Sequence, residues 1–219
     1  MIFLAGLAAG PPEFTRLAAL FPDARVVPLP ETTADTLPTI ARALADTLPS
    51  EPLDIVGASF GGLVALALPR DRVRSLTTIG TLPWTTNAAG RCRRFARLLA
   101  MTPDRIYREW YRRRVTDSLA DDGADSAILD AVRLPPRDVL RARLRAIARY
   151  DLPPLPRFPT SFLWGATDAW VTWTTGSLAE RGLEGIVVPG GHRPHLSHPS
   201  EVAAWISSRS NSRRTHGDR

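Results

Sequence analysis

A chain of 219 residues, 44% of them hydrophobic, is long enough to bury one sizeable core, and its only cysteine, Cys92, excludes an internal disulfide and a thiolate metal cluster. Its 28 basic residues, all arginine, outnumber 22 acidic ones for a formal net charge of +6. No apolar run reaches the roughly 18 to 20 residues of a bilayer crossing, and Met1 to Ala9 lacks a preceding basic residue, so a cytoplasmic protein without a membrane span, metal or cofactor is expected.

Ile2 to Ala5 is a short apolar run closed by Gly6-Leu7-Ala8-Ala9-Gly10, the pattern of a buried strand followed by a small-residue loop. Pro12 to Phe21 then carries Phe14, Leu17, Ala18 and Phe21 at helical spacing, after prolines that suit a helix start. Arg25 to Pro30 reads as a second strand, and Ala34 to Leu48 as a helix with Leu37, Ile40, Ala41, Leu44 and Leu48 on one face. A third strand over Leu53 to Gly57 leads through Ala58-Ser59 into a helix over Phe60 to Leu68, and Val73 to Gly80 is a fourth strand. Strands alternating with helices predict a parallel sheet covered on both faces.

Beyond Gly80 the alternation breaks. Residues 84–151 read as four helices, Ala88 to Met101, Pro103 to Leu119, Ala124 to Leu134 and Pro136 to Tyr150, separated by proline, glycine and aspartate. It resumes with a strand over Pro159 to Gly165, a helix near Thr172 to Arg181, a strand over Gly185 to Val188 and a last helix from Pro199 to about Ser207. The division expected is a core of residues 1–83 and 152–207, a helical insertion over 84–151, and a polar tail, 208–219, that lacks an apolar face and is expected to be disordered.

Chemistry enters at Gly57-Ala58-Ser59-Phe60-Gly61-Gly62, where an apolar run ends in a serine with glycines two residues to either side. Such a serine sits at the tip of a sharp strand-to-helix turn, with its hydroxyl above the carboxyl end of the sheet and the Phe60 amide aimed where negative charge would develop on an attacked carbonyl. A serine nucleophile needs a base, and the base needs a partner that fixes its tautomer. His216 lies in the polar tail, which leaves His192, His195 and His198. His192 follows a strand and two glycines, on the same sheet rim as Ser59, whereas His198 precedes Pro199 as a helix cap. Three histidines at three-residue spacing also suggest a metal site, but Pro194 and Pro199 keep one regular helix from presenting them together. Asp168, just past the next-to-last strand in Trp164-Gly165-Ala166-Thr167-Asp168, is the carboxylate beside that loop.

With these residues in the order Ser59, Asp168, His192, the chain resembles the α/β-hydrolases from Ile2 to about Ile206, with a nucleophile elbow at Gly57 to Gly62, an acid loop at Gly165 to Asp168 and a histidine loop at Gly191 to His195. The resemblance implies a catalytic triad of Ser59, His192 and Asp168, with His192 chosen over His195 because it directly follows glycine. It also implies an oxyanion hole from the amides of Phe60 and Leu7. Two features depart from the family pattern. Ala5 stands where histidine is common, which leaves open what supports the Leu7 loop, and the first two family strands are missing, so a mostly parallel sheet of about six strands is expected.

The charge excess is local: residues 91–149 hold 15 arginines against 8 acidic residues, while the remainder is nearly balanced. In the last helix of the insertion Arg137, Arg141, Arg145 and Arg149 recur every four residues, either as a solvated face or as a surface for an anionic partner. In the second insertion helix Ile106, Tyr107, Trp110 and Tyr111 fall together as packing or as an acyl pocket. An arginine-bearing four-helix insertion with the Gly-His-x-Pro-His loop is similar to the pimeloyl-acyl carrier protein methyl ester esterases of biotin synthesis. That similarity implies acyl carrier protein as partner, at those four arginines, and an acyl methyl ester as substrate. A thioesterase or small-ester hydrolase, and a noncatalytic binding module on the same fold, are the alternatives; no nucleic-acid motif is present.

Overall fold

In the computed structural model residues 1–7, 10–81, 86–149, 156–170 and 178–217 are described. Six strands form one all-parallel sheet in the order β2-β1-β3-β4-β5-β6: β1 Ile2–Leu4, β2 Arg25–Val27, β3 Leu53–Ala58, β4 Val73–Ile79, β5 Thr160–Gly165 and β6 Glu184–Val188. The chain runs outward from β1 to β2, then returns to β3 and proceeds the other way. The strand order therefore reverses between β1 and β3, where open α/β sheets leave a crevice beyond the strand ends.

Side-chain alternation along the strands assigns the two faces. Ile2, Leu4, Ile55 and Leu76 pack with α2 (Leu37–Ala45) and α3 (Phe60–Leu66) through Leu37, Ile40, Leu44, Phe60 and Val64. Phe3, Val56, Ala58, Ile79 and Leu163 form the other core with Phe14 of a 3-10 turn (Pro11–Phe14), Leu17 of α1 (Thr15–Ala18), and Val202 and Ile206. The helix read over Pro12 to Phe21 is thus a 3-10 turn running into one α-turn.

Between β4 and β5 lie α4 (Thr86–Met101), α5 (Asp104–Asp121), α6 (Ser126–Ala131) and α7 (Arg137–Arg149). They share an apolar cluster containing Leu99, Tyr107, Tyr111, Val115, Leu119, Ile128, Leu140 and Leu144, closed by Leu196. Tyr107 and Tyr111 stack at 5.5 Å, but Ile106 and Trp110 are exposed, so the aromatic face expected on α5 splits between packing and surface. After β6 come α8 (Pro194–Ser197) and α9 (Pro199–Gly217). The helix continues past the expected end at Ser207, because the apolar stripe ends at Ile206 while no proline or glycine interrupts the chain before Gly217. Most of the helix read over Thr172 to Arg181 lies outside the described residues. Among the described residues no helix is long and apolar enough to cross a membrane.

A tight junction joins α3 to the end of β1. A Cβ on Gly61 would overlap the carbonyl oxygens of Leu4 and Ala5 and lie 2.8 Å from the Leu4 carbonyl carbon. Gly61→Ala is expected to lower unfolding free energy by about 2–3 kcal/mol in urea titration. In α4, Gly90 has no described heavy atom within 4 Å of the equivalent position. Gly90→Ala should therefore stabilise by up to about 1 kcal/mol.

Candidate active site

Ser59 is the one described non-glycine residue at positive φ (φ 48°, ψ −115°), a region that costs on the order of 1–3 kcal/mol. Neighbouring groups hold it there: its N–H donates to the Ile79 carbonyl at 2.7 Å, and its carbonyl accepts from the Thr81 hydroxyl at 3.0 Å and the Leu63 amide at 3.2 Å. The turn throws the side chain above the rim, where Ser59 is half-buried at the start of α3.

The two other loops meet it. His192 Nε2 lies 3.1 Å from Ser59 Oγ, and His192 Nδ1 lies 2.9 Å and 3.1 Å from the two oxygens of Asp168. The side chain of Asp168 is fully buried, and one oxygen also accepts the Trp170 amide at 2.8 Å. With Nδ1–H donating to the carboxylate, Nε2 is left to accept the serine proton. The loops are locked together by backbone: Ala166 N–H donates to the Val188 carbonyl at 2.8 Å, and both the Thr167 amide and hydroxyl donate to the Gly190 carbonyl at 3.0 Å. At the rim, exposed Trp170 lies 6.4 Å from the His192 ring, with the Arg91 guanidinium of α4 over its indole at 4.7 Å.

Leu7 and Phe60, expected to supply oxyanion amides, flank the serine from the ends of β1 and β3, and an added Cβ on Gly6 would lie 3.6 Å from Ser59 Cβ. The Leu7 loop has partners that sequence reading missed. The Gly6 amide donates to Oε1 of Glu13, which is 1% exposed, and the Leu7 carbonyl accepts from Arg143 of α7 at 3.0 Å. Burial raises the Glu13 pKa above the usual carboxyl value, opposed by the Arg193 charge and the Gly6 hydrogen bond. Arg193, directly after His192, reaches Asp122 at 2.6 Å and lies 3.7 Å from Glu13. A signal for Arg143 did exist: it shares the i, i+3, i+4, i+7 face of Leu140, Leu144 and Ile147, an apolar stripe where a charge needs a buried partner. Glu13 carried no such mark, since its burial follows from the 3-10 turn.

The four arginines singled out on α7 are not brought into one free row. Arg137 donates to the Thr102 carbonyl, Arg141 pairs with Asp138 at 3.0 Å, and Arg149 pairs with Asp35 at 2.5 Å. Only Arg145 of the four is exposed without a hydrogen bond or ion pair among the described residues. The histidines also diverge. His195 is fully buried and stacked on Phe14 at 4.7 Å, and no described group of three or more histidine, cysteine or acidic residues could hold a metal.

A serine, a histidine and an aspartate aligned beyond the strand ends of a parallel α/β sheet define a hydrolase core. The chain belongs to the alpha/beta hydrolase family, whose model matches residues 1–205. None of the curated proteins matches it by sequence. Among solved structures it is similar to an esterase from Thermogutta terrifontis, 20% identical with TM-score 0.71, covering 97% of this chain and 89% of that one. A thioesterase of the prodiginine pathway from Streptomyces coelicolor is 22% identical with TM-score 0.59, over 96% and 89% of the two chains. The bottromycin epimerase BotH is 17% identical with TM-score 0.69, over 94% and 89%.

Burial pushes the His195 pKa down to about 3, with the Arg193 and His192 charges acting in the same direction, and neither ring nitrogen has a partner among the described residues. Unfolded, a histidine binds its proton near 6.5, so below that pH the unfolded chain carries the extra proton and the native state loses ground until about pH 3. The slope is on the order of 1 kcal/mol per pH unit. His195→Phe should remove this component, so the urea midpoint of the variant falls less steeply between pH 6.5 and 4 than that of the parent.

Proposed function

We propose that the protein is a serine hydrolase of carboxylic esters working through an acyl-enzyme. The observation that carries this reading is the continuous line from Ser59 Oγ through the His192 ring to the buried Asp168 carboxylate. His192 Nε2 takes the hydroxyl proton as Ser59 Oγ bonds to the ester carbonyl carbon, and the Leu7 and Phe60 amides receive the negative charge on the former carbonyl oxygen. The same proton passes from His192 to the alcohol oxygen as the C–O bond breaks. Water, deprotonated by His192, then attacks the acyl-serine, and the proton returns to Ser59 as the acid leaves. Asp168 keeps Nδ1 protonated and stabilises the imidazolium in each half.

Ser59→Ala should lower turnover of p-nitrophenyl esters by about six orders of magnitude and abolish fluorophosphonate labelling. Retained turnover would remove the mechanism. A folded parent protein that fails to label would favour a noncatalytic binding module.

For the physiological substrate we propose the methyl ester of an acyl chain carried on an acyl carrier protein, a biotin precursor, met in the cytoplasm under the helical insertion acting as a cap. Support comes from the basic surplus of residues 91–149 and from exposed Arg91, Arg93, Arg94 and Arg97 on α4, with Arg145 on α7. The engagement of Arg137, Arg141 and Arg149 inside the molecule shifts the weight of that surface toward α4. Carrier binding should weaken several-fold in Arg145→Glu and further in Arg145→Glu/Arg94→Glu, with a shallower dependence on salt. Unchanged affinity in the double variant would remove the carrier. Faster turnover of the matching thioester than of the methyl ester would instead favour a thioesterase.

A further inference from the structure

The peptide unit joining Gly6 to Leu7, whose N–H is the proposed oxyanion donor, lies between two peptide units that are each held by a buried side chain. Before it, the Gly6 N–H donates to Glu13 Oε1. After it, the Leu7 carbonyl accepts from Arg143 Nη1 at 3.0 Å. The second Arg143 nitrogen reaches the carbonyls of Pro30 at 3.2 Å and Leu29 at 3.4 Å, and the guanidinium lies 5.9 Å from the centroid of the Phe60 ring. One side chain of the insertion therefore hydrogen-bonds to Leu7 and lies over the ring of Phe60, the two residues whose amides are proposed to form the oxyanion hole.

We infer that Glu13 and Arg143 are positioning residues that clamp the Gly6-Leu7 peptide so that its N–H faces the substrate oxygen, which makes the seating of α7 a condition of catalysis. The inference rests on the acyl-enzyme reading above. A peptide plane turns as a unit through the dihedrals on either side, here ψ of Gly6 and φ of Leu7. Glycine resists such a turn weakly, because it lacks a Cβ. Rotation would carry the N–H away and bring a carbonyl oxygen toward the developing negative charge. Holding the preceding N–H and the following C=O at fixed points restrains both dihedrals, so the donor does not reorganise when the oxyanion forms. Arg143 suits this position because its planar fork serves three carbonyls at once. At 6% exposure it has little water as an alternative partner.

A lost oxyanion donor costs about 10²–10³-fold in kcat, and a misaligned one a part of that. Arg143→Met and Glu13→Leu are therefore expected to lower kcat by about 10- to 100-fold with KM within about twofold. Affinity for a boronic acid that forms a tetrahedral adduct with Ser59 should fall in parallel, while affinity for the product acid is retained. Glu13→Gln, which keeps an acceptor for the Gly6 amide, should fall less than Glu13→Leu, and Arg143→Lys less than Arg143→Met. Should the apolar variants not fold, as judged by circular dichroism, the conservative pair decides on the same split between kcat and KM. Unchanged kcat and boronate affinity in folded variants, with Ser59→Ala inactive, would overturn the clamp and leave the acyl-enzyme standing. Ester turnover surviving in Ser59→Ala would overturn the acyl-enzyme itself.

Discussion

Backbone lies against backbone where α3 meets the end of β1, and that close approach governs the geometry of the whole rim. Gly61 faces the Leu4 and Ala5 carbonyls with no room for a side chain, so the first turn of α3 is pressed onto the strand that carries the Leu7 loop. Ser59 must then complete a turn from β3 into α3 within one residue, which forces its positive φ. The strain is held by interactions elsewhere, in the Ser59 hydrogen bonds to Ile79 and Thr81. Because the strand order reverses between β1 and β3, the same approach leaves the serine and the Leu7 loop on opposite sides of one crevice.

Arginine, the sole basic residue type here apart from histidine, joins the insertion to this rim. Arg16 of α1 donates to the carbonyls of Gly123 and Leu196 at 3.0 and 2.8 Å and pairs with Asp125, tying the start of the chain to the insertion and to α8. Arg193 ties the histidine loop to Asp122 and Ser118 at the end of α5, and Arg143 ties α7 to the Leu7 loop. Each guanidinium spreads its donors over two or three acceptors. A lysine gathers its three donors on one nitrogen and lacks the planar fork that spreads them over separate acceptors. The insertion is thus fastened at the loops where chemistry is proposed, through polar groups whose burial makes unpaired alternatives costly.

The sheet and the serine–histidine–aspartate line were legible in the sequence because local rules determine them. Apolar runs of strand length, a serine between glycines, and an acidic residue just past a strand each mark a position without reference to distant parts of the chain. The arginine row on α7 was legible only in part, for the converse reason. Four-residue spacing identifies a face, but whether that face is free depends on Thr102 and Asp35, which come from other parts of the fold. Glu13 was unreadable for the same reason. Phe14, Leu17, Ala18 and Phe21 gave the amphipathic pattern of its segment, and only the tertiary arrangement carries its carboxyl to the Gly6 amide.

The similar structures include an esterase, a thioesterase and an epimerase, so the fold alone does not select a reaction, and the groups around His192 carry the chemical argument. In the proposed chemistry the ring must become positive in each half-reaction, yet the next residue is Arg193, a permanent cation. Left unpaired, that guanidinium would oppose every proton transfer to Nε2 in a partly desolvated pocket. It is instead paired with Asp122 at 2.6 Å and flanked by Glu13 at 3.7 Å, while Asp168 faces the ring directly. Asp122 closes α5 in the insertion, so the helices outside the sheet do more than cover the crevice. Their acidic end pairs with the guanidinium next to His192, through the contact that holds the histidine loop in place.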